Sequence, residues 1–235
     1  MKKWVFIMFL MVLCVFPISG NVSASEIEAK ENYDGLIDSG IMDVGITYEN
    51  WLEANSFPEP TEEVQRTLLK ASSYTMQSGD IFVTNATSLG GMTGHAAIAT
   101  SSNWVLDIPA VGKTTRQSTL ATWKSFYKSG TVWVYRVDSK YRDIAIKAAS
   151  WADRNYYSTT GSSKQNIFPR YGFLSGPVQF TTNPTYCSKI PYQAYWNGSE
   201  NMAFMKVRAP GFVVTPYGLV DSFSNSYKPK LVAKF

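Results

Sequence analysis

The sequence predicts an α+β domain, and three observations carry that prediction. Short runs of β-branched and aromatic residues recur between turn residues, as in Ile81-Phe82-Val83-Thr84 and Thr131 to Val137. One longer stretch, Lys140 to Tyr157, sets Ile144, Ala148 and Trp151 on one helical face. The strand-like runs near residues 94 to 109 follow each other closely enough to form an antiparallel hairpin. Composition agrees with a packed body. The 235 residues are 45% hydrophobic, 14% aromatic and 17% charged, which excludes a disordered chain, and 16 Gly with 11 Pro excludes a collagen-like one. At about 150 residues per domain, the length allows one or two domains. A net charge of +4 gives no reason to expect a nucleic-acid partner.

The chain opens with Lys2 and Lys3, then thirteen apolar residues from Trp4 to Phe16, then Pro17, Ser19 and Gly20. Val22-Ser23-Ala24 supplies small residues at the positions a signal peptidase reads, so residues 1–24 are expected to be a cleaved secretory signal. The apolar run is shorter than the roughly 20 residues a bilayer span needs. No later stretch is more apolar, so no stable membrane insertion is expected after cleavage, and the mature protein is placed outside the cell or at its wall. Cleavage also removes Cys14 and leaves Cys187 as the one cysteine, with no internal disulfide available to it.

Charge then divides the chain. Residues 25–63 hold eleven acidic residues and one basic residue, Lys30, whereas from Val64 onward there are 19 basic and 7 acidic residues. With Gly35, Gly40 and Gly45 at regular spacing and Pro58 and Pro60 after them, residues 25–63 read as an acidic, weakly structured lead-in. It is either a solvated extension or a segment lying on the basic body and covering its cleft. The basic body suits an anionic envelope polymer.

Within the body, residues 64–235, the order of elements follows from local chemistry. Thr61 can cap a helix to about Met76, with Glu62 and Glu63 in its first turn. Gly79-Asp80 leads into a strand at Ile81 to Thr84, and the Gly, Ser and Thr of Asn85 to Thr93 read as a loop. Strands are expected at Gly94 to Thr100 and Asn103 to Pro109, a helix at Ser118 to Tyr127, a strand at Thr131 to Val137 and a helix at Lys140 to Tyr157. After a loop-rich stretch, Asn183-Pro184-Thr185 reads as the start of a helix to about Trp196, and Phe204 to Val207 and Gly211 to Val214 read as closing strands. There is no repeat, no metal-type Cys/His cluster and no phosphate-binding Gly motif, so neither metal nor cofactor is expected.

Three residues stand out chemically. Cys187 falls in the expected first turn of a helix, where unpaired N–H groups and the helix dipole favour a thiolate; otherwise it is a buried, inert thiol. His95 is the single histidine, hence the only imidazole base available, or else a core histidine bonded to backbone. It shares a strand face with Ala97 and Ala99, whose small side chains would let the Cys187 helix approach. Asp107 lies on the next strand, either beside the imidazole or at a solvent-facing strand end. A two-residue turn would pair His95 with Ile108 and send Asp107 to the other face, whereas one more residue pairs His95 with Asp107 and leaves Trp104, Leu106 and Ile108 together opposite.

The order Gly79-Asp80-Ile81-Phe82, Gly94-His95-Ala96-Ala97-Ile98, Val105-Leu106-Asp107 and Tyr186-Cys187-Ser188, with a late Val214-Thr215-Pro216-Tyr217-Gly218-Leu219, resembles the circularly permuted branch of the NlpC-type papain-like cysteine hydrolases, the YiiX and YycO group. The resemblance spans roughly Gly79 to Ser222. It implies a permuted papain-like fold with Cys187 as nucleophile, His95 as base and Asp107 as orienting carboxylate. Asp107 stands where the family usually has Glu, and Pro191 lies four residues after Cys187. The expected activity is thiol-dependent cleavage of amide bonds, foremost in cell-wall peptides, with lipid amides or esters as the second substrate class. Tyr156, Tyr157, Tyr171, Phe173 and Trp196 either line a groove or pack the core. The competing reading is a non-catalytic module that binds envelope polymer.

Overall fold

A computed structural model describes residues 24–61, 74–89, 91–200 and 202–235. Its centre is one antiparallel sheet of six strands in the order β4-β3-β2-β1-β5-β6. The strands are β1 (Ile81–Leu89), β2 (Met92–Ala99), β3 (Val105–Asp107), β4 (Arg116–Ser118), β5 (Val132–Arg136) and β6 (Lys230–Lys234). The helices are α1 (Ala24–Asp38), α2 (Tyr48–Asn55), α3 (Leu120–Phe126), α4 (Arg142–Tyr156) and α5 (Lys189–Gly198). The expected α+β class is what is seen.

Period-two alternation gives the sheet two buried faces. Ile81, Val83, Ala96, Ile98, Leu106, Ile108 and Trp133 share one core cluster with residues of α4 and α5. Phe82, Ala97, Ala99, Val105, Val132 and Val134 share the other with Trp123 and Tyr127. Helix α4 buries Ala145, Ala148, Ala149, Ala152 and Tyr156, a stripe of small residues at helical spacing. Small size there permits close approach: a Cβ on Gly198 of α5 would lie 2.5 Å from the Ala148 backbone nitrogen. Helix α3 starts at a Thr119 cap, whose side chain accepts from the Thr122 N–H, and so directs Trp123 onto the sheet.

Several boundaries differ from expectation. The stretch read as a loop from Asn85 to Thr93 belongs largely to a β1–β2 hairpin with a register irregularity between Thr84 and Ser88. Ser88 and Thr93 suit a loop by composition, yet they pair across the hairpin. Strand β4 was not expected, and β6 closes the sheet in place of the strands expected at 204–207 and 211–214. Of those two segments, only Met205 makes a bridge, to Phe223. The expected helix from Thr61 to Met76 falls mostly outside the described residues, and so does the expected signal.

The acidic lead-in is not weakly structured. Thr47 caps α2, and Leu36, Met42, Ile46, Trp51 and Ala54 are buried in the same cluster as the body's helices. Thr215 Oγ1 donates to the Ala54 carbonyl at 2.8 Å, and the Phe173 N–H donates to the Ile41 carbonyl at 2.8 Å. No charged residue described in this stretch is buried, while part of its apolar minority packs into the core, a division that charge counting conceals.

Candidate active site

Asp107 is fully buried on β3, and His95 is nearly so on β2. The register joining them is Ile98 with Leu106 and Ala99 with Val105. This corrects both registers considered from the sequence: Asp107 falls diagonally from His95 rather than opposite it. The parity still puts both side chains on the face covered by α3, and His95 Nε2 lies 2.9 Å from Asp107 Oδ2. The shorter carboxylate therefore reaches the ring without help. Leu106 and Ile108 share the opposite face as expected, but Trp104 is 41% exposed.

Asp107 gathers more donors than a triad needs. Arg116, directly opposite on β4, donates from Nε to Oδ1 at 2.9 Å and from Nη2 to Oδ2 at 3.2 Å. Trp123 Nε1 and Tyr127 Oη donate to Oδ2 at 3.1 and 2.8 Å. Burial by itself would push the carboxyl up. The hydrogen bonds and charges of His95 and Arg116 outweigh it and hold Asp107 down at about 2. The His95 ring stacks on Tyr127 with centroids 4.8 Å apart and lies 6.3 Å from Trp123.

Cys187 comes from the other side. It belongs to the core cluster on the α4–α5 face of the sheet, and β3 has parted from β2 before the His95 end of the strand. The imidazole of His95 and the Ala96 N–H both lie close enough to the thiol to act on its ionisation. Burial would raise the thiol, but the charge of His95 and the bonds from His95, Ala96 and Ser188 lower it below its ordinary value. Burial would lower His95, but the thiolate and Asp107 raise it to about 9. Both shifts run in the direction of a thiolate–imidazolium pair.

Local anchoring fixes the sulfur. Val214 N–H donates to Tyr186 Oη at 3.1 Å, and Ser188 Oγ donates to the Val214 carbonyl at 2.6 Å, so both neighbours of Cys187 are tied to one residue. Gly94 sets the other partner: at φ +92°, a Cβ there would meet the Thr84 carbonyl oxygen and the Tyr217 ring, each at 2.9 Å.

Three expectations need correction here. Cys187 precedes α5, which begins at Lys189, so it is not in the first helical turn. Thr185 instead bridges to Tyr171 in extended pairing, and Pro191, third in α5, occupies a position whose N–H has no intrahelical acceptor. Ala97 and Ala99 make room for Trp123 and Tyr127 rather than for the Cys187 helix. The sulfur and imidazole are also nearly closed off, at 2% and 3% exposure, so Cys187 is buried as the inert-thiol alternative expected. Of the five aromatics named as groove candidates, Tyr171 is the one whose hydroxyl lies near the sulfur; burial and then the Cys187 charge hold it well above its usual range, hence neutral. Tyr156 and Phe173 are core residues, and Trp196 stacks on Tyr192.

Arg116, Trp123 and Tyr127 were not singled out from the sequence. The four-residue spacing of Trp123 and Tyr127 marks a shared helical face, but no local signal says that this face meets Asp107. Among the described residues no group of three or more His, Cys, Asp or Glu side chains could hold a metal ion.

This arrangement sits in a chain that belongs to the family described as lipoprotein N-acylation protein LnsA-like, whose model matches residues 46–235. The match begins inside the acidic stretch, at Ile46. A 30.3 kDa uncharacterized protein from Bacillus thuringiensis is 33% identical over an alignment 274 positions long, covering 100% of both chains. No solved structure matches. The family carries acyl-group chemistry on a lipoprotein-related substrate.

Proposed function

We propose that this protein is a thiol-dependent acyl-transfer enzyme, with Cys187 as nucleophile, His95 as proton carrier and Asp107 as the carboxylate that orients the imidazole. The observation that carries the reading is the buried His95–Asp107 pair, 2.9 Å from Nε2 to Oδ2, beside a thiol whose pKa the imidazole lowers. In the first step the Cys187 thiolate attacks an acyl carbonyl. The carbon–sulfur bond forms, the bond to the leaving oxygen or nitrogen breaks, and the His95 imidazolium gives that atom its proton. In the second step His95 takes a proton from the acceptor as the acceptor attacks the thioester and frees the thiolate. Water as acceptor makes the reaction a hydrolysis; an amine makes it an acyl transfer. The neutral Tyr171 hydroxyl, beside the sulfur, is placed to donate to the oxyanion that develops.

The family's description favours a lipid-linked acyl group over the cell-wall peptide amide suggested by the NlpC-type resemblance. The wall peptide remains the second substrate class, supported by the permuted His-then-Cys order of the chain. The basic amino-terminal flank, the thirteen-residue apolar run and Val22-Ser23-Ala24 support export and action at the cell envelope. Among the described residues no helix is long and apolar enough to cross a membrane.

The test is turnover by purified wild type and Cys187→Ala on three substrates: a short-chain phospholipid, an N-acylated lipopeptide and a purified wall peptide. Turnover of an acyl-lipid substrate by wild type alone is the expected result. Turnover of the wall peptide alone would replace the substrate class, and equal turnover by Cys187→Ala would refute the thiol mechanism.

A further inference from the structure

Arg116 is the feature of this site that neither the sequence motif nor a three-residue mechanism uses. It comes from β4, a three-residue strand, and stands directly across from Asp107. Its guanidinium makes two bonds to the carboxylate, at 2.9 and 3.2 Å. Nη2 also lies 3.4 Å from Tyr127 Oη, and the Phe126 ring covers the guanidinium at 4.1 Å. The side chain is 32% exposed, whereas Asp107 is at 0%. With the sulfur ionised the site is a row of four charges, of which only the last reaches solvent: thiolate, imidazolium, carboxylate, guanidinium.

We infer that Arg116 is a positioning residue that keeps the Cys187 sulfur ionised by closing this alternating row. The physical reason is charge balance in a nearly dry place. With Arg116 the row sums to zero. Without it, the same thiolate and carboxylate share one imidazolium, and a net negative charge is left away from water. The least costly response is for a proton to return to the row, and the sulfur is the anion it returns to most readily, because Asp107 keeps two neutral donors, Trp123 and Tyr127. Arg116 touches neither sulfur nor the acyl group in this scheme, so it acts through Asp107 and His95.

The other groups facing the row do not supply the missing charge. Tyr127, Tyr171 and Tyr186 are held neutral by burial, their hydroxyls pushed well above the usual range. Ser188 and the Ala96 N–H are neutral donors to the sulfur. Lys189 is the remaining nearby cation. Its Nζ donates to the Pro184 carbonyl at 3.1 Å and lies 6.0 Å from the Tyr186 ring centroid, and burial lowers it to about 8. It titrates in its own right, so the test includes Lys189→Met.

This inference rests on the thiol reading above, but its experiment needs no substrate. The ultraviolet absorbance of the thiolate is titrated with pH in the full chain, taking Cys187→Ser as the blank. Wild type is expected to hold a thiolate at neutral pH. Arg116→Gln is expected to raise the apparent thiol pKa by about one unit, a tenfold smaller thiolate fraction on the acid side, and Arg116→Lys to recover at least half of that shift. Lys189→Met is expected to leave the midpoint in place. An unchanged midpoint in Arg116→Gln, or a shift in Arg116→Lys as large as that in Arg116→Gln, overturns the role given to Arg116. If Arg116→Gln does not fold, Arg116→Met takes its place as the variant without the charge, and an unchanged midpoint there overturns the role. Absence of any thiolate in wild type would refute the thiol reading itself, which keeps the two failures distinct.

Discussion

Cys187 and His95 act on each other's ionisation although they pack against different elements. The imidazole sits on the face covered by α3, against Tyr127 and Trp123, whereas the sulfur belongs to the cluster of α4 and α5. The Ala96 N–H, next to His95 on β2, also acts on the sulfur.

Replacing Asp107 by Asn tests the orienting carboxylate. The change leaves Arg116 without its ion-pair partner and sets an amide N–H₂ among three donors. Activity is expected to fall by roughly 10²–10⁴-fold, as when an orienting Asp is lost from a triad. Stability is expected to fall by about 3–5 kcal/mol, the usual result of breaking a buried charge pair. Steady-state kinetics and a urea melt read the two losses separately.

The site was legible in the sequence where identity alone decides. A single His and a single mature Cys leave no other pair to choose, and Asp107 follows on the next strand. What was not legible depends on three-dimensional closure. Arg116 lies in a short polar strand with no periodic signal, and its partner is fixed only when β4 joins β3. The β1–β2 hairpin was read as a loop because Asn85 to Thr93 has loop composition, and its pairing overrides that. The lead-in was read by its charges, although Leu36, Met42, Ile46 and Trp51 decide where it packs.

Those apolar residues lead to a second expectation. Trp51 is buried at 2% and packs edge-on against Phe173 at 5.9 Å. Trp51→Ala is expected to cost about 3–5 kcal/mol by truncating a core aromatic. Deleting residues 25–61 is expected to abolish soluble expression or activity, not to raise activity as removal of an autoinhibitory cover would. Thermal melts and turnover of the truncated chain check this.

The Tyr171 hydroxyl provides a third. Tyr171→Phe keeps the ring and its edge contact with Phe173 at 5.8 Å but removes the donor beside the sulfur. A loss of about 10²-fold in kcat is expected, with KM and melting temperature little changed, as when one oxyanion donor is removed.

The pH dependence has a definite sign. His95 is raised in the folded protein from its ordinary 6.5 to about 9. Its protonated form therefore contributes stability that is complete below 6.5 and is lost as pH climbs through 9. Asp107 is lowered from 3.8 to about 2, so its contribution is present above 3.8 and is lost as pH falls through 2. Activity that depends on the imidazolium is expected to decline above about pH 9, and His95→Asn is expected to remove the fall in stability between pH 6.5 and 9. Denaturant melts across that range measure it.

The most direct measurement is the mass of the intact protein during reaction with an acyl substrate. Wild type is expected to gain one acyl group, labile to hydroxylamine as a thioester is and mapping to Cys187, while Cys187→Ala gains none. An acyl group found on another residue, or retained by Cys187→Ala, would contradict a nucleophilic role for Cys187.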